Sequence, residues 1–80
     1  MNIRGYTCNL STHLEYSNSY MGVLLCATLT WMDAEFSRSA LIPDCEPSVP
    51  EMIYYELSCA LIDKFDRFLE AHGLPYEARP

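Results

Sequence analysis

The chain has 80 residues, half of them apolar and 12% aromatic, with 11 acidic residues against 5 basic ones for a formal charge of −6. That apolar content excludes a disordered acidic tail, and the length predicts one globular domain spanning residues 1–80. With a single lysine and no basic patch, direct binding to DNA or RNA is not expected.

The first predicted element is a strand through Tyr6–Tyr16. Tyr6, Cys8, Leu10, Thr12, Leu14 and Tyr16 alternate with Thr7, Asn9, Ser11, His13 and Glu15. One face is mainly apolar and the other polar, as in a half-buried strand. Ser17–Ser19 then reads as a turn. The apolar run Tyr20–Met32 is compatible with a strand or a buried helix. Thr28, Thr30 and Trp31 favour the strand, which makes a hairpin with the first segment. The run is too short to span a bilayer, which needs roughly 20 apolar residues, and no membrane association is expected. Asp33–Glu35 reads as a second turn, and Phe36–Ile42 as a short third strand.

Pro43, Pro47 and Pro50 break regular structure. A helix follows over Val49–His72. Ser48 and Glu51 form a capping box at its start, and Gly73 with Pro75 marks its end, with His72 in the last turn. Tyr54, Leu57, Leu61, Phe65 and Phe68 fall on one side, flanked by Ile53, Ile62 and Leu69. Such a stripe covers the apolar face of a sheet. Tyr6, Tyr16 and Tyr54 belong with the core, whereas Tyr20 and Tyr55 are candidates for exposed contact residues. The expected architecture is α+β: an antiparallel two- or three-stranded sheet, β-hairpin first, packed by one long C-terminal helix.

Charge is unevenly placed. Nine of the acids and three of the bases lie between Asp33 and His72, and the flanking segments are neutral. On the helix, Glu56, Asp63, Asp66 and Glu70 fall together on the polar side. Asp63 and Arg67 are a favourable i, i+4 pair. Asp66 and Glu70 are a repulsive one, costing a few tenths of a kcal/mol. Glu70 also sits near the helix C-terminus, where the dipole disfavours an anion. Local helix stability therefore does not account for these acids. Two readings are open: an ordinary solvated helix face, and a docking face for a basic protein surface, with Asp33, Glu35, Asp44 and Glu46 in support. Carboxylates along a rigid helix can take the place of phosphates in a nucleic-acid-binding groove, with binding that weakens as salt rises.

Chemical motifs are sparse. Cys8, Cys26, Cys45 and Cys59 show no C-x-x-C spacing, and Met1 leads into a strand pattern with no signal-peptide profile. They are expected to be reduced thiols in the cytoplasm; if they paired, three connectivities would be open. No spacing of Cys and His marks a metal site, no activated nucleophile is marked, and no cofactor is implied. No enzyme activity is expected.

In size, acidity and freedom from enzymatic motifs, the chain resembles small phage-encoded inhibitors, anti-CRISPR proteins in particular. The resemblance implies a cytoplasmic protein of the infected bacterium that occupies the nucleic-acid-binding surface of a defence complex. Small size leaves both a monomer and a homodimer open, since pairing buries more surface. The other class of function open to it is a structural or assembly subunit that pairs through its sheet.

Overall fold

The computed structural model describes residues 1–42 and 51–74. Five strands precede one helix: β1 (Asn2–Ile3), β2 (Tyr6–Thr7), β3 (Asn9–Ser17), β4 (Gly22–Trp31), β5 (Ala34–Ile42) and α1 (Glu51–Ala71). β1 and β2 form a small antiparallel ribbon, and β3, β4 and β5 form an antiparallel sheet in that order. The α+β architecture expected from the sequence is the one adopted. Tyr20–Met32 is resolved in favour of a strand.

Turn chemistry moves several boundaries. The first predicted strand is broken at Cys8, because residues 6–7 fold back on residues 2–3 through a two-residue turn at Arg4 and Gly5. Both turn residues have positive φ, 55° and 91°, as a type I′ hairpin requires. The Asn2 side-chain oxygen accepts a hydrogen bond from the Gly5 amide at 3.1 Å and supports the turn. The turn expected at Ser17–Ser19 lies at Asn18–Met21. The turn expected at Asp33–Glu35 lies at Met32–Asp33, so β5 starts at Ala34, two residues before the expected Phe36. The predicted capping box begins at Ser48, outside the described residues.

The helix ends as its sequence dictates. Gly73 adopts φ 67°. Its amide donates to the Glu70 carbonyl at 3.2 Å, and the Leu74 amide donates to the Leu69 carbonyl at 2.9 Å. This is a complete Schellman motif, closed by Leu74 packing on the core. A ring nitrogen of His72 lies 3.0 Å from the Phe68 carbonyl oxygen at the same helix end.

Two substitutions with opposite expected signs follow from these turns. Nothing lies within 4 Å of a Cβ added at Gly73, so Gly73→Ala should cost about 1 kcal/mol through backbone strain alone. Met32 has φ 53° and an exposed side chain at the first position of a two-residue hairpin turn. That position favours glycine, so Met32→Gly should gain about 0.5–1 kcal/mol. Thermal melts of the two variants read both signs directly.

The core lies between the sheet and α1. Leu57, Leu61, Phe65 and Leu69 of the helix meet Leu25, Ala27 and Leu29 of β4 and Ile42 of β5. Phe65 is fully buried, with the rings of Tyr6, Trp31 and Phe36 each centred 5.9–6.0 Å away, edge to face. The Lys64 ammonium donates to the Ser37 carbonyl at 3.0 Å, tying the helix to β5.

The helix does not cover the whole sheet. A helix is about 10–12 Å across and strands are about 4.8 Å apart, so one helix roofs about two strands. Here those are β5 and β4. In the register of the sheet Leu14 faces the same side as Leu25, and Tyr16 the same side as Val23. Yet Leu14 is 58% and Tyr16 64% exposed. Tyr16 was expected in the core and is not there. Tyr54, expected in the helix stripe, is 45% exposed. Only Leu10 and Tyr6 of the first predicted strand's long apolar residues pack on the core.

Candidate functional site

The acidic residues separate into groups once their elements are fixed. Glu56, Asp63 and Glu70 repeat every seven residues, so they form one line along α1, on the side away from Leu57, Leu61 and Phe65. All three are exposed. Seven residues rise about 10.5 Å along a helix, which spreads the three carboxylates over roughly 21 Å. The Asp63 carboxylate is held by Arg67 at 3.1 Å.

Asp66 stands apart from that line. Its side chain is only 18% exposed, and both oxygens accept hydrogen bonds from Arg4 Nε and Nη2, each at 3.1 Å. The partner comes from the turn of the β1–β2 ribbon, 62 residues away in sequence. Asp66 therefore joins the two ends of the described chain and is not a free docking charge. This contact also offsets the repulsion between Asp66 and Glu70 that the helix alone would leave.

The supporting acids are not gathered around the helix line. Asp33 is exposed in the β4–β5 turn. Glu35 pairs with Thr30, so it points from the sheet face opposite α1. Asp44 and Glu46 lie outside the described residues. Among the described residues, the coherent part of the predicted patch is Glu56, Asp63 and Glu70.

The sheet face away from α1 is open and mostly polar. Asn9, Ser11, His13 and Glu15 from β3 share it with Thr30, Thr28, Cys26 and Leu24 from β4, and with Glu35, Ser37, Ser39 and Leu41 from β5. At its centre His13 stands directly across from Cys26, and Cys26 directly across from Ser39. The Cys26 thiol donates to Glu15 Oε2 at 3.4 Å. His13 Nε2 lies 3.4 Å from the same oxygen. The Ser39 hydroxyl donates to Cys26 Sγ at 3.5 Å. Beside this cluster is a hollow of about 440 Å³ lined by Tyr20, Leu24, Ser39 and Leu41. The sequence offered His13, Glu15 and Cys26 only as unrelated polar residues on two strands. The signal that would have joined them was the H-x-E spacing on β3 combined with the correct hairpin register.

Cys8, Cys26 and Cys59 are free thiols. Cys8, between β2 and β3, is buried in the core, and desolvation pushes its thiol pKa up, with the nearby N-terminal ammonium opposing the shift. An acid held above its ordinary pKa stabilises the fold below that value and loses the contribution as pH rises through the folded-state pKa. Cys59 is exposed on α1, and its hydrogen bond with Tyr55, one turn earlier, raises the tyrosine pKa.

No helix among the described residues is long and apolar enough to cross a membrane. The chain matches no protein-family model, no curated protein and no solved structure at a significant level.

Proposed function

We propose that the protein is a non-catalytic interaction module that docks the solvent face of α1 on a basic surface of a larger protein. The surface envisaged is a nucleic-acid-binding groove in a bacterial defence complex, where the module acts as an inhibitor by supplying negative charge in place of phosphates. The observation that supports this most is the line of Glu56, Asp63 and Glu70. Three exposed carboxylates lie along one rigid element, and only Asp63 among them has an ion-pair partner within the described residues. Their spread of about 21 Å suits an extended groove, and such a field also raises the encounter rate with a cationic surface.

The test keeps Asp66 intact because it holds Arg4. The triple variant Glu56→Lys, Asp63→Lys, Glu70→Lys should fold, since all three sites are exposed. A protein captured from bacterial lysate by the wild type should elute on a rising salt gradient and fail to bind the triple variant. Equal capture by both, or elution insensitive to salt, would rule the acidic face out.

A second reading is favoured by a separate observation. Leu14 and Tyr16 are apolar residues on the helix side of the sheet that α1 leaves uncovered, and among the described residues β3 is an unpaired edge. Edge strands with exposed apolar side chains pair readily. On this reading the protein is an assembly subunit that dimerises through β3. Sedimentation would then show a dimer at low and high salt alike, lost in the Leu14→Ser, Tyr16→Ser variant.

A further inference from the structure

From the open sheet face we infer that His13, Glu15 and Cys26 form a three-ligand site for a thiophilic divalent cation, zinc in the first instance. The three side chains supply an imidazole nitrogen, a carboxylate oxygen and a thiolate sulfur, the donor types zinc takes. One ligand atom from each lies within 4.8 Å of the other two. Two of the separations are already those of a coordination sphere. With Zn–N, Zn–O and Zn–S bonds of about 2.0–2.3 Å and tetrahedral angles, neighbouring donors are about 3.4–3.6 Å apart. Glu15 Oε2 lies 3.4 Å from Cys26 Sγ and 3.4 Å from His13 Nε2.

The scaffold explains why the three converge. His13 and Glu15 are two residues apart on β3, so both side chains leave the same face. Cys26 sits directly across from His13 on the central strand, flanked on both sides by paired strands. The ligands are thus fixed by strand pairing and not by a mobile loop.

Charge balance favours a dication. The Cys26 thiol now donates its proton to Glu15; metal binding would displace that proton to solvent and form the S–metal bond in its place. One thiolate, one carboxylate and a neutral imidazole then neutralise a 2+ ion. Ser39 would keep its hydroxyl hydrogen bond to the sulfur, the outer-sphere support that thiolate ligands use. Three protein ligands leave a fourth position for water, as in open zinc sites. Leu24 and Ser39, the cross-strand neighbours of Glu15 and Cys26, place that position beside the hollow they line with Tyr20 and Leu41.

Cobalt(II) titration of the reduced full chain tests the site, because a thiolate ligand gives a sulfur-to-cobalt charge-transfer band and four-coordination gives intense d–d bands. One equivalent should bind with both signatures, and zinc should displace it. Cys26→Ser should abolish the charge-transfer band. His13→Ala and Glu15→Gln should each weaken binding by at least the ~10–100-fold that loss of an outer-sphere partner costs. Cys45→Ser and Cys59→Ser should leave the spectrum unchanged. All the ligand positions are on the exposed sheet face, and far-ultraviolet circular dichroism checks that each variant is folded. Absence of a thiolate band in the wild type at excess cobalt would overturn the assignment. So would a band that survives Cys26→Ser, or one that depends on Cys45 or Cys59.

Discussion

Phe65→Ala should leave the chain without a stable tertiary structure at room temperature. Phe65 is fully buried and is the ring around which Tyr6, Trp31, Phe36 and Phe68 are arranged, at centroid distances of 6.0, 5.9, 6.0 and 6.3 Å. Truncating a buried phenylalanine costs about 3–5 kcal/mol, from lost transfer free energy and the cavity left behind. A core in a chain of this size supplies about 3–5 kcal/mol in all, so the loss is comparable to the whole. The surrounding groups are four aromatic rings from three strands and the helix itself, three packed edge to face on Phe65 and Phe68 stacked parallel to it, and such rigid rings do not collapse easily into a void. Loss of near-ultraviolet circular dichroism and of a cooperative melt is the expected result. Phe65→Leu, which keeps most of the volume, should retain a cooperative but lowered transition. A control at the exposed Glu56, changed to alanine, should move stability by no more than about 0.5 kcal/mol. A cooperative melt in Phe65→Ala within a few degrees of wild type would contradict this account of the core.

The second large effect is expected at Asp66, and there its sign is the informative quantity. Within the helix, removing the Asp66 charge relieves repulsion with Glu70 and should stabilise by a few tenths of a kcal/mol. Across the fold, Asp66→Asn removes a two-point, charge-assisted contact with Arg4. Surface ion pairs are usually worth little, but bidentate Arg–carboxylate geometry is the exception. Arg4 is about half exposed, so the discounted expectation is a net loss of about 1 kcal/mol. Asp66→Lys should cost more, because it sets a second cation beside Arg4. The damage should concentrate in the β1–β2 ribbon, seen as faster amide exchange at Ile3, Tyr6 and Cys8, whose amides lie at the hydrogen-bonded positions of the ribbon. A double-mutant cycle with Arg4→Gln isolates the pair from any other contact of Arg4. A neutral or stabilising Asp66→Asn would show that the ribbon does not depend on the Arg4–Asp66 contact.

The elements that were legible in the sequence are those set by local rules. The helix stripe, the alternation in β3 and the Gly73 terminus each depend on spacing or on a single residue's conformational freedom. The Gly73 stop was read within a residue of its observed place. What was not legible depends on turns formed by residues with no turn preference. Met21 and Met32 both take positive φ in hairpin turns, a conformation that methionine does not advertise. The place of the turn fixes the register. A turn centred on Asn18 would set His13 opposite Val23, whereas the turn at Asn18–Met21 sets it opposite Cys26. The candidate metal site therefore depends on a shift the sequence pattern did not reveal.

The acidic face was legible in part for the same reason. Glu56, Asp63 and Glu70 share a side because the helix period is local and fixed. Asp66 was grouped with them, and only tertiary structure brings Arg4 to it across 62 residues. Glu35 was grouped by its place in the sequence, but strand alternation sends it to the far face of the sheet. Coverage of the sheet was likewise a matter of widths: the apolar face of β3 was correctly read, but one helix is too narrow to roof three strands. That shortfall is what leaves Leu14 and Tyr16 open and gives the dimer reading its footing.

Carbodiimide footprinting of the carboxylates in a purified complex tests the proposed docking face most directly. Glu56, Asp63 and Glu70 should be strongly protected relative to the free protein, while Glu15 and Glu35 on the opposite sheet face remain labelled. Unchanged labelling of the three helix carboxylates, with Leu14 and Tyr16 buried in the same complex, would contradict it.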